Sequence, residues 1–139
     1  MLIVHTQTKP PCWDRLAEAF KVNWVPGVTV TYGGEIYTFD SELKDDVLVH
    51  EAVHVQQQKG IDPDEYVERY IADMEFRKKV EKEAFIVHMA FIRATETNEG
   101  KKWTRLYTCL KSYAATCGVS LEEADHTLSR FEHNEILKS

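Results

Sequence analysis

The chain has 139 residues, 43% of them apolar and 29% charged, with a formal charge of −6 at neutral pH. That is the balance of an ordinary globular domain, and the acidic charge argues against a protein that works by neutralising phosphates. No apolar run approaches the ~20 residues of a membrane span, the N-terminus does not read as a signal peptide, and three cysteines without CxxC spacing make neither a disulfide framework nor a thiolate metal site.

Taken in chain order, Pro11 to about Val22 carries Trp13, Leu16, Ala17 and Phe20 at helical spacing, which predicts a short amphipathic helix ended by Val25-Pro26-Gly27. Two β-rich runs follow, Val28–Tyr32 and Ile36–Phe39, with Gly33-Gly34 between them able to take the positive φ of a two-residue hairpin turn. After Asp40 everything reads as helix. Asp40 or Ser41 is the expected N-cap of a helix running to Gly60. Asp62-Pro63-Asp64-Glu65 then supplies an N-cap, a proline at the first helical position and a capping-box glutamate, opening a helix that could reach Asn98–Gly100 with a bend near Arg77-Lys78-Lys79. Lys101 to Thr116 is the next helix, with Trp103, Leu106, Tyr107, Leu110 and Tyr113 as its expected core side and Gly118 as its stop. Ser120-Leu121-Glu122-Glu123 opens a last one to about Leu137. The fold class expected is α+β, mainly helical, with a small hairpin before the second helix.

That second helix contains His50-Glu51-Ala52-Val53-His54, an HExxH sequence. Residues four apart on a helix differ by about 40° around its axis, so both imidazoles leave one face and can reach one metal ion. Glu51 lies about 100° from His50, which sets its carboxylate beside the ion, where it can take a proton from a metal-bound water and return it to a leaving amine. With Leu48, Ala52 and Val55 opposite and Val47, Val49 and Val53 flanking, the helix is apolar almost all round and is expected to be buried. Imidazoles and a carboxylate in such a place need a partner such as Zn²⁺.

A catalytic zinc site takes three protein ligands and an open position. Gln57 and Gly60 occupy the places where a longer motif would supply a third histidine, so a ligand from the following helix is expected, and Glu81 and Glu83 are the candidates. A seam of Val80, Ala84, Val87 and Phe91 marks the expected buried side of that helix, with the two glutamates on either side of it. Periodicity alone does not choose between them.

The run His50-Glu51-Ala52-Val53-His54-Val55-Gln56-Gln57, followed by Glu81-Lys82-Glu83-Ala84-Phe85, resembles small zincin-type metallopeptidases of the gluzincin kind, often encoded by phages and bacteria, with the pattern HExxHxxQQ…ExEAY. The resemblance spans roughly residues 28 to 92. It implies that residues 1–139 form a single zincin-like metallopeptidase domain, that His50, His54 and Glu83 bind zinc with Glu81 as substitute, and that Glu51 is the general base. Phe85 stands where the pattern often has Tyr. The partner implied is a protein or peptide substrate, held as an added strand on the edge of the hairpin sheet. No nucleic acid and no membrane are expected, and the setting implied is cytoplasmic. The other reading is a zincin-like structural or assembly component, such as a phage virion protein, with a structural or vestigial zinc site. Tyr66, Tyr70, His88, Tyr107, Tyr113 and His126 are candidates for the oxyanion donor, each more simply a packing or surface residue. Gln57 lies closest among Gln56–Gln58 to the His face and is the candidate to hold an imidazole N–H.

Overall fold

A computed structural model describes the backbone of residues 1–138 and the side chains of residues 1–129. It is α+β and mainly helical, with a small sheet ahead of the HExxH helix, as the sequence leads one to expect. The elements are β1 (Val4–Thr6), α1 (Trp13–Phe20), β2 (Thr29–Tyr32), β3 (Glu35–Thr38), α2 (Asp45–Gln57), α3 (Pro63–Ala72), α4 (Met74–Thr95), α5 (Glu99–Cys117) and α6 (Leu121–Lys138). The chain divides into two compact units, Met1–Arg77 and Lys78–Ser139, with the division in the first turn of α4.

In the first unit the expected hairpin is present. Gly33 and Gly34 take φ of 60° and 77°, the double positive φ that a two-residue turn between twisted strands requires. The sheet also has a third strand not foreseen from the sequence, because β1 pairs in parallel with β3 and gives the order β1-β3-β2. A three-residue strand has no periodicity to read, and its parallel partner lies some thirty residues away. β3 is therefore the central strand, and Ile36 upon it is fully buried.

α2 packs on β2 and β3. It begins later than expected, at Asp45 with Lys44 as N-cap, because both Asp40 carboxylate oxygens accept the Gly27 N–H and tie down the turn before β2. Nor is α2 buried all round. Its aliphatic residues are half-buried, and the residues it buries are His50, Glu51 and His54. α3 starts as expected, with the Asp62 carboxylate accepting the Glu65 N–H. The long helix then breaks at Asp73, four residues ahead of the expected bend. Asp73 turns extended, closes α3 through its N–H to Arg69 O, and accepts the Phe76 N–H on its carboxylate to start α4. Arg77 completes the joint by donating to the terminal carbonyls of Tyr70 and Ile71. Cys12, Trp13, Leu16 and Val67 form the apolar centre of this unit, bordered by Phe20, Trp24 and Val30.

The second unit is a helical cluster of Phe85, Met89 and Ile92 from α4, Leu106, Cys109, Tyr113 and Cys117 from α5, and Ala124 and Leu128 from α6. α4 ends at Thr95, short of the expected Asn98–Gly100, and α5 starts at Glu99, two residues before the expected Lys101, whereas the end of α5 and the start of α6 follow the sequence signals. Asn98 caps α5, Gly118 ends it at φ 63°, and Ser120 Oγ accepts the Glu123 N–H at the start of α6. Two expectations of the buried faces are corrected as well. The buried side of α4 runs through Val80, Ala84, Phe85, His88, Met89 and Ile92, with Val87 exposed. On α5, Trp103 and Tyr107 are exposed, and Leu106, Cys109 and Tyr113 carry the packing. Leu106 and Tyr113 of the expected side are buried, and Cys109 takes a place in the core that Trp103 and Tyr107 do not. All three cysteines are buried thiols outside any disulfide. Among the described residues no helix is long and apolar enough to cross a membrane.

Candidate metal centre

α2 brings His50, Glu51 and His54 together. Each is less than 9% exposed, and one ligand atom from each can be chosen so that all lie within 4.8 Å of one another. The two Nε2 atoms face each other at 3.2 Å. A tetrahedral zinc with bonds of about 2.0–2.1 Å holds its nitrogen ligands roughly 3.3 Å apart, so the pair has the spacing of two ligands on one ion. The far side of His54 is also set for ligation. Its Nδ1 lies 2.7 Å from Gln57 Oε1, and that oxygen also accepts from the Tyr66 hydroxyl at 3.1 Å. An amide oxygen only accepts, so Nδ1 carries a proton, and Nε2 is the ring nitrogen left to offer a lone pair inward. Gln57 thus does what its angle on the helix suggested. Tyr66 is committed to the same oxygen and holds it in place.

Glu51 is held from the sheet. The Thr31 hydroxyl, on β2, donates to Glu51 Oε1 at 2.9 Å, and Glu51 Oε2 lies 3.8 Å from His50 Nε2. Thr31 is itself pinned, because its carbonyl accepts from Gln58 Nε2 at 3.0 Å and Gln58 Oε1 accepts the Gly34 N–H at 3.1 Å. Neither Thr31 nor Gln58 stood out in the sequence. The signal for Thr31 was a hydroxyl at every second position of Val28–Tyr32, which puts Thr29 and Thr31 on one face of the strand. For Gln58 the signal was its place two turns after Glu51 on one helix face.

Glu81, Glu83, His88, Tyr107 and His126 belong to the second unit, and Tyr70 to the first. Glu83 is exposed on α4, and Glu81, on the same helix, is buried at 7%. Glu81 lies close enough to Tyr113 to add to the rise of that phenol, which burial above all pushes up to about 12. His88 is buried and stacks on Phe85, its rings parallel within 8°, as a packed core histidine does. Tyr70 is half-buried, and Tyr107 and His126 are exposed.

The donor set fits a divalent cation of the zinc type: two neutral imidazoles with one tautomer fixed from outside, a carboxylate alongside, and little water contact. The chain matches no protein-family model, no curated protein and no solved structure.

Proposed function

We propose that this protein is a zinc-dependent metallopeptidase that hydrolyses peptide bonds in a protein or peptide substrate. The observation that carries the reading is the pair of Nε2 atoms 3.2 Å apart on a buried helix face, with the Glu51 carboxylate held beside them. His50 and His54 would hold a zinc ion, which would supply Lewis acidity to the scissile carbonyl and to the attacking water. Glu51 Oε2, the oxygen Thr31 leaves unbonded, takes the proton of that water and hands it on to the leaving amine. Gln57 keeps the His54 lone pair on the ion by holding the proton on the opposite ring nitrogen. By the resemblance of the Glu81–Phe85 run, Glu83 is the third ligand and Glu81 its substitute.

With β3 central, β2 is the edge strand that lies against α2. Its Val28 carbonyl bonds Phe39 N, so Val28, Val30 and Tyr32 face β3, and Thr29 and Thr31 turn their backbone groups outward. A peptide adding as a strand has the N–H and C=O of Thr29 and the N–H of Thr31 to bond.

Elemental mass spectrometry on the purified, untagged protein, together with His54→Ala, Glu81→Ala and Glu83→Ala, tests the site. One zinc per chain, lost in His54→Ala and in one glutamate variant, supports it and names the third ligand. No metal after zinc is added back overturns it. Glu51→Gln then separates a peptidase from a structural zinc protein, because it keeps zinc and abolishes cleavage only in the first.

A further inference from the structure

The Glu51 carboxylate has two possible fates at this centre. It lies among ligand atoms that are all within 4.8 Å of one another, close enough to become a ligand itself. Bound to the ion, it would fill the open position and no longer accept a proton from water. Something has to keep it beside the ion, and the arrangement around β2 supplies a restraint. Thr31 Oγ donates to Oε1, a charge-assisted bond away from solvent, since Thr31 and Glu51 are 7% and 6% exposed. Gln58 leaves α2 two turns after Glu51 and takes the Thr31 carbonyl, so the helix grips one strand residue with two of its own side chains. That second contact holds the strand backbone against the helix, so the Thr31 side chain stays opposite Glu51.

We propose that Thr31 is a positioning residue that keeps Glu51 a base and off the metal, an inference that rests on the metal-centre reading above. Thr31→Val keeps the branched shape and the strand preference and removes the donor. Oε1 then has no hydrogen bond, and the carboxylate turns to the strongest charge within reach, the ion.

The test uses Co²⁺ alone as a probe of the full-length protein, read by its visible absorption and by the rate at which a chelator extracts it. Thr31→Val is expected to change the cobalt spectrum, as an added carboxylate ligand does, and to slow extraction about tenfold. Thr31→Ser, which restores the donor, is expected to match the parent in both. In a Glu51→Gln background, Thr31→Val is expected to change neither, since no carboxylate remains to move. On a peptide substrate the same Thr31→Val lowers kcat and leaves KM close to the parent value. Thr31→Ala removes the donor without asking for space and reads the same way should the valine variant misfold. A parent-like spectrum and extraction rate in both Thr31→Val and Thr31→Ala overturn the inference while the metal centre stands. An equal change in the Glu51→Gln background overturns it too, because the effect then passes through the histidines or the strand. A parent that takes up no cobalt overturns the metal-centre reading and this inference with it.

Discussion

The two units are built on different interactions. In Lys78–Ser139 the interior is mainly apolar side chains from three helices, with Glu81 and His88 of α4 also buried. In Met1–Arg77 the most buried face of α2 is polar: Glu51, His54, Thr31, Gln57, Gln58 and Tyr66 are held by hydrogen bonds of 2.7–3.1 Å, and His50 Nε2 stands 3.2 Å from His54 Nε2. A polar interior is costly unless every member is satisfied, and once satisfied it fixes one geometry. The first kind of core tolerates exchange of one hydrophobic residue for another of its size. The second tolerates almost no exchange, and that intolerance is how a chain holds catalytic groups still.

The contrast can be broken most forcefully in the apolar unit. Ile92→Ala removes a fully buried side chain and is expected to cost about 2–5 kcal/mol, read as a fall in the urea midpoint at unchanged zinc stoichiometry in the folded fraction. A loss of zinc from molecules that remain folded would show the units to be less distinct than their interiors suggest. In the polar unit the largest lever is the ion. Zinc at a thousandfold excess over its dissociation constant should add about 4 kcal/mol by mass action, raising the melting temperature of the parent and leaving that of His54→Ala unmoved. Gln57→Ala, which frees the His54 Nδ1 proton from its acceptor, is expected to weaken zinc binding about 10- to 100-fold in a competition titration, with secondary structure intact by circular dichroism.

Smaller effects come from titration. Tyr113, pushed up to about 12, is protonated in the folded chain at pH values where an unfolded tyrosine ionises. The folded state then binds more protons, so its stability is fully present below pH 10 and falls as pH rises toward 12. An ultraviolet titration should show a late-ionising tyrosine that is lost in Tyr113→Phe, and the same variant should flatten the alkaline loss. Two carboxylates, exposed Asp64 in the first unit and half-buried Glu96 in the second, are held low. Asp64 is lowered by hydrogen bonds from Tyr32 and then Arg15, and Glu96 first by its hydrogen bond from Arg105. Depressed carboxylates contribute stability above their unfolded pKa and lose it as pH falls through the folded one. Asp64→Asn and Glu96→Gln should therefore each trim a little of the acid-side slope below about pH 4, and nothing at neutral pH.

How much of this was legible in the sequence depends on how local each signal is. Gly33-Gly34, Asp62-Pro63, Gly118 and Ser120 act on their own neighbours and read correctly. HExxH is equally local, and its helix delivers both imidazoles to one place. β1 was invisible because a parallel partner is a property of the folded chain. The break at Asp73 was missed because Arg77 was read as part of a charged bend, whereas it reaches back to cap the preceding helix. Trp103 and Tyr107 were read as core because helical spacing does not say which of two adjoining stripes a neighbour covers. Thr31 and Gln58 lie 27 residues apart, and only the pairing of strand with helix reveals what they do.

The Gln58 amide on the Thr31 carbonyl has a further consequence for the sheet as a surface. An edge strand exposes an unpaired row of backbone groups that invites other chains to add on, and proteins guard against runaway stacking of this kind with devices placed on the edge. On β2 the guard is a side chain from the protein's own helix, which occupies an outward acceptor as a foreign strand would and stops the ladder after one residue. At the opposite edge, β1 leads in from exposed Leu2 and Ile3, with no charged residue before Lys9. The two edges of the sheet thus differ: β2 has one outward acceptor filled from within the chain, and β1 is flanked by exposed apolar residues.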